Sequence, residues 1–122
     1  MNDYPQFSAS IKEIHHIHKK DSPSGTAHRL IEDIVDQHKR YTDFALTTNS
    51  SEEDATILPV DAIREGEVKG YHEVTWRSSS EEIKISHEAF DRKIFAEGAI
   101  MAAGWLVDQK AGVYTMTNII DL

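Results

Sequence analysis

A chain of 122 residues with 39% hydrophobic content can close one domain around a modest core. It holds no apolar run near the roughly 20 residues that cross a bilayer, and its opening Met1-Asn2-Asp3-Tyr4-Pro5 lacks the basic and apolar regions of a secretory signal. A net charge of -8 argues against nucleic acid as a partner, because phosphate binding needs clustered Lys and Arg. The absence of cysteine removes disulfides, thiolate metal sites and Cys nucleophiles together, and the expectation is a cytoplasmic protein with no membrane partner.

In chain order, residues 7–18 read as extended, with Phe7, Ala9 and Ile11 recurring at period two until Asp21-Ser22-Pro23-Ser24-Gly25 ends the strand. A helix starts near residues 24–26. Ala27, Leu30, Ile31, Ile34, Val35 and His38 keep helical spacing on one face, and Arg29, Glu32, Asp33, Asp36, Gln37 and Arg40 fill the other. Residues 41–55 dissolve into Thr, Asn, Ser and acidic side chains, which predicts a surface loop acting as a crossover or lid. Strands follow over residues 57–63, 68–76 and 82–89, the last alternating Ile83, Ile85 and His87 with Glu82, Lys84, Ser86 and Glu88. A second helix spans residues 94–109, with a small-residue surface of Ala96, Ala99, Ala102, Ala103 and Gly104. Gly112 then terminates it, and residues 113–122 form an apolar tail that wants cover. The fold class expected is α/β in the α+β sense: a mixed, mostly antiparallel four-stranded sheet with helices packed on one face, followed by a C-terminal helix and tail.

The chemistry concentrates in residues 15–27. His15, His16 and His18 titrate near neutral pH, Lys19 and Lys20 add charge, and the segment runs directly into a helix N-terminus whose first N–H groups are unpaired. An extended backbone through residue 18 would put Glu13, His15, Ile17 and Lys19 on one face and Ile14, His16 and His18 on the other. His15 and Lys19 would then address one substrate. Ser24 is the N-cap candidate, Gly25 removes a Cβ that would block a ligand, and Thr26 adds a hydroxyl, so a carboxylate fits there. A single histidine more often packs and hydrogen-bonds than reacts, and that reading is kept for His18, His28 and His38. A zinc site is not expected, since the histidines lack the helical i, i+4 pairing with an adjacent Glu.

The run Glu13-Ile14-His15-His16, with Lys19, Asp21 and Pro23-Ser24-Gly25-Thr26-Ala27, resembles the signature of the dihydrodipicolinate reductases (4-hydroxy-tetrahydrodipicolinate reductases) of bacterial lysine and diaminopimelate synthesis. The resemblance extends in order along nearly the whole chain, through Arg64 and Gly66, Gly70 and His72, residues 82–89, Arg92, Phe95-Ala96, Gly98-Ala99, Trp105 and Gly112-Val113-Tyr114. It implies reduction of a cyclic, dianionic dicarboxylate by NADH or NADPH with loss of water. In that reading His15 is the general acid or base and Lys19 the proton donor. His16 and Ser24 contact substrate, the Gly25 and Thr26 amides hold a carboxylate, and Arg92 and Phe95 are candidates for coenzyme contact.

The resemblance also implies a homotetramer built by this domain's sheets. No strand, glycine-rich turn and helix of the dinucleotide-binding kind precedes His15, so the chain is read as the C-terminal substrate-binding and tetramerisation part of a longer reductase whose Rossmann domain is missing. That missing domain would bind most of the coenzyme and cover the apolar tail, and the part alone would be inactive. Two other classes compete: a stand-alone small-dicarboxylate binding or regulatory module, and a zinc hydrolase.

Overall fold

A computed structural model describes residues 1–48 and 54–120, which divide into two compact units, Met1–Phe90 and Asp91–Leu122. The first unit holds β1 (Ser8–His15), α1 (Gly25–Gln37), β2 (Asp43–Leu46), β3 (Ile57–Arg64), β4 (Tyr71–Arg77) and β5 (Glu82–Glu88). Its five strands run in the order β2-β3-β1-β4-β5.

β1 is the central strand, and its alternation decides what the sheet buries. Ala9, Ile11, Glu13 and His15 point to one face and are buried, while Ser8, Ser10, Lys12 and Ile14 alternate to the other. Parallel pairing sets Ile11 beside Val60, and antiparallel pairing sets it beside Val74, so the apolar positions of three strands share one layer. α1 covers that layer with Ala27 and Ile31, both buried, and with Leu30, Ile34 and Val35 partly so. Tyr41 closes the core, its hydroxyl accepting from the Ala9 amide at 2.6 Å.

Two expectations about the sheet need correction. It has five strands, not four, because the segment read as a surface loop contains β2; residues 49–53 of that segment lie outside the described residues. Phe44 and Leu46 supply too short an alternation to register, and they form a strand only because β3 lies parallel beside them, pairing Phe44 with Leu58 and Leu46 with Val60. The sheet is also evenly mixed. β2–β3 and β3–β1 are parallel, and β1–β4 and β4–β5 antiparallel, since the α1 crossover returns the chain in the direction of β1.

A third correction bears on the site. β1 ends at His15, not at residue 18: the Glu65 amide donates to the His15 carbonyl at 2.8 Å, and a turn follows in which the Lys19 amide donates to the His16 carbonyl at 3.1 Å. The assumed faces of an extended residue 15–19 segment therefore do not exist. What this topology gathers at one end of the sheet is the close of β1, the close of β3, the start of β4 and the first turn of α1.

The second unit contains α2 (Lys93–Leu106) and α3 (Met116–Ile119), the latter inside the predicted tail. α2 stops six residues before Gly112, whose role is close approach: a Cβ there would sit 3.3 Å from the Tyr114 ring, which meets Trp105 edge-on. No helix among the described residues is long and apolar enough to cross a membrane. The core assignment predicts that Leu58→Ala, at a fully buried position, lowers unfolding free energy in urea by about 2–5 kcal/mol. Asp36→Ala on the exposed face of α1 should change it by less than about 0.5 kcal/mol, and equal effects would contradict the assignment.

Candidate active site

At the gathered end of the sheet stands a carboxylate with no solvent exposure. Glu13 lies opposite His72 in the β1–β4 register and beside Ala62 of β3. Its Oε1 accepts from the Arg64 guanidinium at 3.0 Å and from the Ser24 backbone N–H at 3.1 Å. Its Oε2 lies 3.1 Å from Nδ1 of His15 and 3.8 Å from Nε2 of His72. Arg64 also donates to the Asp21 and Ile63 carbonyls, which fixes the connection entering α1.

Burial alone would push the Glu13 carboxyl up, but the Ser24 hydrogen bond and the Arg64 guanidinium outweigh it and hold it below the ordinary carboxylate value. His15 is shifted the other way from a typical ion-paired imidazole. Burial lowers its proton affinity, Glu13 opposes that, and Lys19 and Arg64 reinforce it. His72 is lowered by burial and by His15, whose ring meets it edge-on with centroids 5.0 Å apart.

The first turn of α1 begins where expected. Ser24 is the N-cap, its hydroxyl accepting from the Ala27 amide at 3.3 Å and lying 3.1 Å from Nε2 of His72. With its amide given to Glu13, Ser24 spends its polar groups inside the protein. Gly25 and Thr26 are exposed, and a Cβ added at Gly25 would meet nothing within 4 Å, so the space before the first helical turn is open.

The structure brings His15, Ser24, Gly25 and Thr26 together at this end of the sheet. Lys19 is half-buried, its ammonium 2.8 Å from Asp21, and close enough to bias His15 and His72 electrostatically. His16 is half-buried beside the His18 ring. His18 turns outward to Glu67 at 3.0 Å, an exposed pair. Arg92 and Phe95 belong to the second unit, where both are exposed.

Four contributors escaped the sequence reading as site members. A signal for Glu13 was present, because a charged residue occupies a core phase of a strand between Ile11 and His15. Arg64 and His72 needed the strand register to be recognised. Gly70 needed coordinates: it lies against His15, where a Cβ would stand 3.4 Å from Nε2, an ordinary contact.

Glu13, His15 and His72 each offer a ligand atom, all within 4.8 Å of one another, a spacing a divalent metal can bridge. The Arg64 guanidinium on Glu13 and the nearby Lys19 ammonium oppose a further cation there. A separate cavity of about 770 Å³ is lined by Lys12, Asp61, Glu73 and Lys84, on the sheet face away from the histidines. Glu73 there accepts from Tyr71 and Thr75 and lies 3.8 Å from Lys84, and Asp61 accepts from Thr47.

Residues 1–120 match the family described as dihydrodipicolinate reductase, C-terminus. The chain belongs to that family. It is 38% identical over 120 residues to the 4-hydroxy-tetrahydrodipicolinate reductase of Pelagibacter ubique, covering 95% of this chain and 46% of that protein. With the reductase of the same name from Christiangramia forsetii the identity is 41% over 120 residues, covering 98% and 48%. The chain thus spans about half the length of the curated relatives it matches. A solved structure of dipicolinate-bound dihydrodipicolinate reductase from Paenisporosarcina sp. TG-14 shares its fold, with a TM-score of 0.68 at 21% identity, over 92% of this chain and 44% of that one.

The depressed imidazoles of this reductase-family chain set an acid limit to its stability. His15, His38 and His72 all bind protons less readily folded than unfolded, chiefly because of burial, so the unfolded state takes up more protons as pH falls. Their contribution is complete above about pH 6.5 and is lost as pH drops from there through the lowered folded values, while Glu13 keeps its charge to below the ordinary carboxylate range. Thermal unfolding midpoints should therefore fall between pH 7.5 and pH 5, and His72→Gln should flatten the slope; a flat wild-type profile would contradict this.

Proposed function

We propose that the chain supplies substrate binding and proton transfer to a 4-hydroxy-tetrahydrodipicolinate reductase. The observation that carries the reading is the open first turn of α1 at Gly25 and Thr26, tied through Ser24 and Glu13 to the His15 imidazole. One carboxylate of a dianionic ring accepts from the Gly25 and Thr26 amides, where the helix end favours negative charge. Lys19 and His16 flank the rest of the dianion, with Ser24 holding the turn in place.

Converting 4-hydroxy-tetrahydrodipicolinate to tetrahydrodipicolinate takes up a hydride and a proton and releases water. Nothing among the described residues forms a dinucleotide cradle, and the six glycines lie in no strand, Gly-x-Gly-x-x-Gly and helix unit. NADPH or NADH supplies the hydride from a coenzyme domain beyond these 122 residues, with Arg92 and Phe95 as this chain's candidate contacts. Proton chemistry falls to His15 and Lys19: burial makes the imidazolium give up its proton more readily than in water, and the ammonium offsets substrate charge and donates.

We also assign the chain to a homotetramer in the cytoplasm. Supporting association through the sheet is β5, exposed along its length, with Ile85 at 70%.

Calorimetry with pyridine-2,6-dicarboxylate tests the binding half. The chain should bind this diacid, and Lys19→Ala and His15→Ala should each weaken it by about 10-fold, the loss expected for one charge-assisted contact. No NAD(P)H oxidation should accompany binding. Absence of binding, unchanged affinity in both variants, or turnover by this chain alone would contradict the proposal.

A further inference from the structure

The two atoms that define the His15 environment have little choice of partner. Oε2 of Glu13 and Nδ1 of His15 are both shut off from solvent and lie 3.1 Å apart, a close contact too bent for a well-formed hydrogen bond, and neither has another partner among the described residues. The other nearby imidazole nitrogen, Nε2 of His72, is 3.8 Å from Oε2 and nearer, at 3.1 Å, to the Ser24 hydroxyl. Glu13 is held ionised, and an ionised carboxylate only accepts. A bare Nδ1 would set its lone pair 3.1 Å from an accept-only oxygen, so the contact favours the tautomer with the proton on Nδ1.

We propose that Glu13 is the positioning residue of this site: one carboxylate oxygen fixes His15 in the tautomer protonated at Nδ1, and the other pins Ser24 and Arg64, so that Nε2 of His15 is presented in register with the open first turn of α1. The consequence for chemistry is specific. With Nδ1 committed, every proton His15 gains or loses passes through Nε2, the nitrogen on the Gly70 side of the ring. As an acid, the imidazolium gives its Nε2 proton to the substrate and is left neutral with its proton on Nδ1. As a base, the neutral ring takes one back at the same atom. The same carboxylate sets the helix N-terminus, so a shift of Glu13 would move the proton donor and the carboxylate-binding amides together. Glu13 acts through His15 and Ser24, not on substrate, and its role rests on the reading of His15 as the group that moves the proton.

The charged and titratable groups around His15 come from every element that meets there: Glu13 on β1, Lys19 and Asp21 on the connection to α1, Arg64 at the end of β3 and His72 on β4. Glu13 is the largest influence that favours the protonated ring.

Nitrogen-15 NMR of the histidine side chains in the 122-residue chain reads the tautomer directly. Neutral wild-type His15 should be protonated at Nδ1, the reverse of the form an imidazole in water prefers. Glu13→Gln presents an amide that can turn either its carbonyl or its NH2 to the ring, so the preference should relax toward a mixture and the His15 titration midpoint should move about one unit lower. A wild-type His15 protonated at Nε2 overturns the proposal, whether or not the variant folds. So does a folded Glu13→Gln with tautomer and midpoint unchanged, since a purely structural role would leave both where they were. The readout needs no diacid: failure to bind pyridine-2,6-dicarboxylate alongside an Nδ1–H tautomer overturns the reductase reading and leaves the tautomer assignment standing.

Discussion

A carboxylate removed entirely from water stays charged only if the protein replaces its hydration with donors and positive charge, and the first unit of this chain is organised around meeting that demand for Glu13. The replacements arrive on Oε1 from the Ser24 amide at the mouth of α1 and from Arg64 at the end of β3, while Oε2 stands 3.1 Å from Nδ1 of His15 and 3.8 Å from Nε2 of His72. None of these is close to Glu13 in sequence except His15. Removing one partner of such a buried pair typically costs about 3–5 kcal/mol, because the other charge is left uncompensated. The carboxylate therefore makes the fold and the site one arrangement.

That arrangement explains why titratable rings can sit beside an anion-binding helix end without collapsing onto it. Glu13 and Arg64 largely neutralise each other, so the histidines experience burial more strongly than any single charge and stay unprotonated more readily than in water. The helix end is kept open by a different device. Ser24 satisfies the cap and the interior, and Gly25 and Thr26 are left facing outward with their amides available. A dianion entering this end of the sheet meets backbone donors and a lysine first, and a proton-exchanging ring next to them.

Legibility in the sequence followed the range of the interactions. The α1 face from Ala27 to Val35, the Ser24 cap and the alternation of β1 are local and could be read from spacing. The His15 to Thr26 block was visible as chemistry because its members are consecutive. β2 was not, because four residues carry no period and their partner β3 begins more than ten residues later. Lys19 bears on His15 electrostatically from a turn and not from a shared strand face, which spacing alone does not distinguish. Arg64 and His72 enter through register, which depends on β3 running parallel and β4 antiparallel to β1, and no pattern within either strand announces that.

Amide hydrogen exchange at Ser24 tests the central claim most directly. Amides at the start of a helix have no partner in the helix and ordinarily exchange fast, as those of Gly25 and Thr26 should here. If Ser24 donates to a buried, ionised Glu13, its N–H should instead exchange as slowly as the β1 core amides of Ala9 and Ile11. Exchange at Ser24 as fast as at Gly25 and Thr26 would mean that the carboxylate does not hold the helix start, and the account of the site would fail with it.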